Sequence, residues 1–161
     1  MIIYMMQHGL ALDVSQDLEE GLSLIGKESI EMSGRGLRKI GIFFDGMVAS
    51  PKKRSIQTAQ IIAEEFGFSK EAIQITESAK PSGKAQDLLQ FIDKLGVKSV
   101  FIAGHLPSLM ETASFLLSDR GKVQIAIVNG GCLRLDTEDL FSHEGKLKWY
   151  LTPEQLKMIY E

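Results

Sequence analysis

The stretch Ser99-Val100-Phe101-Ile102-Ala103, closed by Gly104-His105-Leu106-Pro107, decides the reading of this chain. A short uncharged run rich in β-branched and aromatic side chains, stopped by Gly and Pro, predicts a strand buried on both faces. Such a strand belongs inside a parallel sheet, so its neighbours must be similar runs elsewhere in the sequence. Residues 2–6 (IIYMM), ended by Gln7-His8-Gly9, and residues 47–49 (MVA), ended by Ser50-Pro51, supply two, and residues 73–75 a weaker third. Between these runs, apolar residues fall at helical spacing over about 26–44, 54–66, 84–95 and from Pro107 to about Leu117. Gly34 and Gly36 interrupt the first of these helices, and Gly67 is a natural stop for the second. Residues 123–128, 132–135 and 147–151 are expected as three late strands, the last two joined by a polar loop. Alternating strands and helices predict an α/β three-layer sandwich. Its central sheet is mostly parallel, with helices on both faces and an antiparallel edge from the late strands.

The chain has 161 residues, 44% hydrophobic and 24% charged, which suits one domain over residues 1–161 with its own core. One cysteine, Cys132, rules out a disulfide framework and is expected to pack as a small buried hydrophobe. A net charge of −3 gives no global attraction to nucleic acid or anionic lipid, so any anion site must be local. No run approaches about 20 apolar residues and no leader pattern opens the chain, so the expectation is a cytoplasmic protein without membrane contact.

In an open α/β sheet, ligands bind beyond the carboxyl ends of the strands. The residues there are Gln7-His8-Gly9, Ser50 leading to Arg54, and Gly104-His105. Two histidines, an arginine and a helix start form a set that suits a phosphate dianion. A neutral imidazole can also attack phosphorus, provided its other nitrogen donates a hydrogen bond that fixes the tautomer. A second, protonated histidine would offset charge on the transferring oxygens. No His/Cys cluster has metal-ligand spacing, so no metal or cofactor is expected. His143, Met1, Met5, Met6 and the run Lys52-Lys53-Arg54 read as surface group, core filler and solvated helix start. GKES and SGRG read as glycine turns, because neither completes a phosphate loop.

Four segments resemble the histidine phosphatase superfamily, phosphoglycerate-mutase-like branch. MIIYMMQHGLA is similar to its first strand and Arg-His-Gly motif, and GLSLIGKES to its Leu-Thr-x-x-Gly segment. VASPKKRSIQTA is similar to Ser-Ser-Pro-x-x-Arg-x-x-Gln-Thr-Ala, and IAGHLPSL to Gly-His-x-Pro. Their order and the shortness of the chain are most like SixA-type phosphohistidine phosphatases. The resemblance implies a metal-independent phosphatase in which His8 becomes phosphorylated, Arg54 binds the phosphoryl oxygens and His105 completes the pocket. It places Glu77 near a family proton donor, and Ser50 and Asn129 at the pocket rim. The implied partner is a phosphohistidine-bearing protein of signal transduction. Gln7 stands where the family has arginine and presents a neutral amide to phosphate, and Lys52, Lys53 or Lys80 would restore the charge if their loops turn inward. Two other readings stay open: a phosphatase for a small phosphomonoester, and a catalytically weak phosphate- or phosphoprotein-binding module.

Overall fold

Ser99–Gly104 (β4) is buried along its whole length because it has a parallel strand on each side. Ile2–Gln7 (β1) and Gly46–Ala49 (β2) are those neighbours. In the computed structural model, which describes residues 1–161, six strands run in the order β3-β2-β4-β1-β5-β6. Gln74–Ile75 (β3) extends the parallel part, while Cys132–Asp136 (β5) and Lys146–Leu151 (β6) form the antiparallel edge. Leu24–Lys39 (α1), Lys53–Phe66 (α2) and Pro153–Tyr160 (α5) cover one face. Ala85–Asp93 (α3) and Ser108–Leu117 (α4) cover the other. The expected three-layer α/β architecture is the one observed.

The sheet separates two apolar cores, with Ile3, Met5, Val100 and Ile102 on one side and Tyr4, Met6, Phe101 and Ala103 on the other. Successive side chains of β1 and β4 thus alternate between two buried faces, which is why both strands read as continuous apolar runs. The connection leaving β1 enters α1 on one face, and that leaving β4 enters α4 on the other. These adjacent strands therefore open a crevice at their carboxyl ends. No helix is long and apolar enough to cross a membrane.

Several local expectations need correction. Ser23 caps α1 by accepting from the Gly26 amide, and the helix ends at Lys39 rather than near residue 44, with Gly41 at a left-handed φ of 77°. GKES and SGRG are not turns but helical segments of α1. Gly36 is there for close approach, since a Cβ on it would lie 2.3 Å from the Leu156 carbonyl oxygen of α5. Residues 123–128 form no strand. Both edges of β5 are already taken by β1 and β6, and the segment is held instead by Ser114 Oγ and Tyr150 Oη, which accept from the Val123 and Val128 amides. His143 is not a solvated group, because its Nδ1 bonds the Phe115 carbonyl at 2.6 Å. The sequence reading missed α5, although Thr152-Pro153-Glu154-Gln155 closes a reciprocal capping box with Pro at the start.

Candidate active site

β1 and β4 run in register, Gln7 opposite Gly104, so the residues that follow, His8 and His105, emerge side by side. Their ring centroids are 4.8 Å apart. The backbone of His8 is held on both sides, its amide by Gly104 O at 3.0 Å and its carbonyl by Asn129 Nδ2 at 2.9 Å. Gly9 then passes so close to α1 that a Cβ would meet Ile30 at 2.8 Å, and its amide donates to Thr58 Oγ1 of α2.

His8 Nδ1 lies 2.7 Å from the Gly9 carbonyl. A carbonyl only accepts, so Nδ1 carries the proton and Nε2 keeps its lone pair. Arg54, in the first turn of α2, donates to that lone pair from Nε at 3.2 Å. Burial first, and the Arg54 charge after it, hold the His8 pKa below its ordinary value against the Gly9 carbonyl and Glu20. His8 therefore presents a neutral nitrogen with an available electron pair.

His105 is almost fully buried, and burial, followed by His8, Arg54 and Lys52, pushes its pKa down to about 3. The second histidine is thus neutral at pH 7, where the sequence reading had it protonated. A dianion beside it would oppose those positive charges and raise its affinity for a proton. Its Nε2 lies 2.7 Å from Ser50 Oγ, which also accepts from the Lys52 amide, while Nδ1 is buried without a partner.

His8, Arg54, His105, Ser50 and Asn129 are thus brought together by the ends of β1, β2 and β4 and the loop before β5. Gln7 is beside them, its backbone tied to Gly130 and Gly131 and its side-chain oxygen buried without a partner. Glu77 is not brought in: its exposed carboxylate pairs with Lys80. That contact also occupies Lys80, and Lys53 is occupied by Asp17 and Glu19. Of the three lysines considered for the missing charge, Lys52 alone makes no ion pair. The sequence reading missed Glu20, whose Oε2 lies 3.6 Å from Arg54 Nη1. Only the acidic cluster Asp17-Leu18-Glu19-Glu20 could have drawn attention to it, and nothing in its spacing points to the strand ends.

No protein-family model matches the chain. Among curated proteins it is 27% identical to a "Phosphohistidine phosphatase SixA homolog" of Haemophilus influenzae, over 76% of this chain and 81% of that one. It is 28% identical to an uncharacterised protein of Picosynechococcus, over 70% and 71%. Among solved structures, the protein histidine phosphatase SixA complexed with tungstate superposes with a TM-score of 0.84, covering 98% of this chain and all of that one at 20% identity. The chain is thus similar in sequence to a SixA homolog and shares its fold with SixA-like structures of the histidine phosphatase superfamily.

Proposed function

We propose that the chain acts as a single-domain phosphatase through a covalent phosphohistidine at His8, with phosphohistidine on another protein as its substrate. The observation that carries this reading is the His8 ring, whose Nδ1 is bound to Gly9 while Nε2 faces Arg54. In this mechanism Arg54 transfers its hydrogen bond from Nε2 to a phosphoryl oxygen, and Nε2 attacks phosphorus in line with the leaving group. His105, held by Ser50, takes up a proton with the dianion and stabilises charge on the equatorial oxygens. Asn129 keeps His8 in place through its carbonyl. Water then attacks the phosphohistidine, releasing inorganic phosphate and restoring Nε2.

Exposed apolar side chains on the segment that follows His8 support a substrate carried on a protein. Leu10, Leu18, Leu24 and Ile25, in the loop after His8 and at the start of α1, expose 50–86% of their surface, an arrangement that fits contact with a macromolecule. A short connection, residues 76–84, joins β3 to α3 without an inserted lid. A large concavity of about 890 Å³ opens at the opposite end of the sheet around Met1, Ile2 and Asp136, away from every site residue. The SixA structure similar to this chain carries tungstate, an oxyanion of phosphate-like shape. A cytoplasmic place in signal transduction belongs to the same proposal.

The test is phosphate release from a phosphohistidine protein and from p-nitrophenyl phosphate, with acid-quench trapping of the phosphoenzyme. Turnover and an acid-labile phosphate on wild type but not on His8→Ala are expected. Turnover retained by His8→Ala would overturn the nucleophile. Faster hydrolysis of the ester would favour the small-molecule reading, and phosphate binding without turnover the binding module.

A further inference from the structure

Glu20 reaches Arg54 from a loop built to place it there. Asp17 accepts from the Glu19 and Gly21 amides and from Lys53 of α2 at 2.8 Å. Gln57 of α2 accepts from the Leu22 amide at 2.7 Å. Between these two clamps Glu20 adopts a left-handed φ of 50°, which non-glycine residues seldom adopt. The Arg54 guanidinium then lies between two groups, with Nε on His8 Nε2 and Nη1 on Glu20 Oε2. A phosphoryl group that takes over the Arg54 Nε hydrogen bond beside His8 Nε2 lies within one guanidinium of the Glu20 carboxylate. In-line displacement sends the leaving group to the side of phosphorus away from His8 Nε2, and Glu20 is the carboxylate that pairs with Arg54 at this site.

We propose that Glu20 is a specificity-determining residue, whose carboxylate selects a leaving group bearing a cationic N–H and repels one bearing an anion. This inference rests on the phosphatase reading of the same site. When His8 Nε2 bonds to phosphorus, the P–N bond of a substrate phosphohistidine breaks and its electron pair stays on the substrate nitrogen. If the other ring nitrogen already carries a proton, the imidazole departs neutral, and Glu20 accepts a hydrogen bond from that N–H throughout. A leaving alcohol with its own carboxylate would instead face Glu20 as a like charge.

The experiment compares kcat/KM for a phosphohistidine peptide with that for phosphoglycolate, in wild type and in Glu20→Gln. Removing the carboxylate also frees Arg54 to bind phosphate more strongly, but this acts on both substrates and cancels in their ratio. The ratio is expected to fall by about 30-fold or more in Glu20→Gln, and the peptide's preference for pH below its imidazole pKa to weaken. An unchanged ratio overturns the inference, because a merely structural role moves both substrates together. Wild type inactive on both would overturn the phosphatase reading and this inference with it. Wild-type turnover that is lost in His8→Ala, together with an unchanged ratio in Glu20→Gln, overturns this inference alone.

Discussion

At residue scale, the proposed function gives Gln7 the part of a neutral phosphate contact. A guanidinium would offer a charged fork there, whereas the amide offers neutral donors and buries an oxygen without a partner. Exchanging a neutral for a charge-assisted bond is worth roughly 1–3 kcal/mol. Gln7→Arg should therefore raise kcat/KM about 10–100-fold, measured as phosphate release at substrate below KM, and no change would show that Lys52 or His105 already supplies the charge. His105 makes the second prediction. Its folded pKa is about 3 and its ordinary value 6.5, so on acidification the unfolded chain binds that proton first, and stability falls from about pH 6.5 toward pH 3. By about pH 4 this group alone lowers stability by on the order of 3 kcal/mol. Denaturant midpoints at neutral and acid pH should show a smaller acid loss in His105→Gln than in wild type.

At the scale of elements, the packing of α1 depends on two glycines that look alike in sequence and differ in surroundings. A Cβ on Gly36 would meet backbone of α5 at 2.3 Å, which forces the helices apart, whereas one on Gly34 meets the flexible Glu65 side chain at 3.1 Å. Gly36→Ala should cost roughly 1–3 kcal/mol. Gly34→Ala should be neutral or gain up to about 1 kcal/mol from helix propensity. Thermal melts distinguish them, since each kcal/mol moves Tm by about 2–4 °C at this size. The same contrast explains what was legible. β1, β2 and β4 could be read because burial on both faces leaves an unbroken apolar run. α5 has an imperfect apolar face, exposing Met158 and Tyr160 while burying Leu156, and its capping box was the one local sign of it. Residues 123–128 carry strand-like alternation, but a strand also needs a free edge. Which edges of β5 are free is a property of the whole sheet and is not written in that segment.

At the scale of the molecule, the site was legible wherever topology carries it. Residues at the ends of adjacent parallel strands must meet, which placed His8 beside His105 and brought in Ser50 and Arg54. Glu20 comes from a loop closed by side-chain clamps, so only three-dimensional structure brings it to Arg54. The same loop shapes the field around the site. The chain carries −3 overall, Lys53 is offset by Asp17 and Glu19, and Lys80 by Glu77. At the floor, Lys52 thus keeps its positive charge without an ion pair, while Asp13 and Glu19 are exposed on the loop beside the mouth. A substrate must bring an anionic phosphate through an acidic rim, so flanking basic residues should favour it. At low salt, a phosphohistidine peptide flanked by lysine should show several-fold higher kcat/KM than one flanked by glutamate. The difference should shrink toward unity near 1 M salt, where the screening length falls to about 3 Å. A preference for the glutamate-flanked peptide at low salt would mean that the floor, not the rim, controls approach.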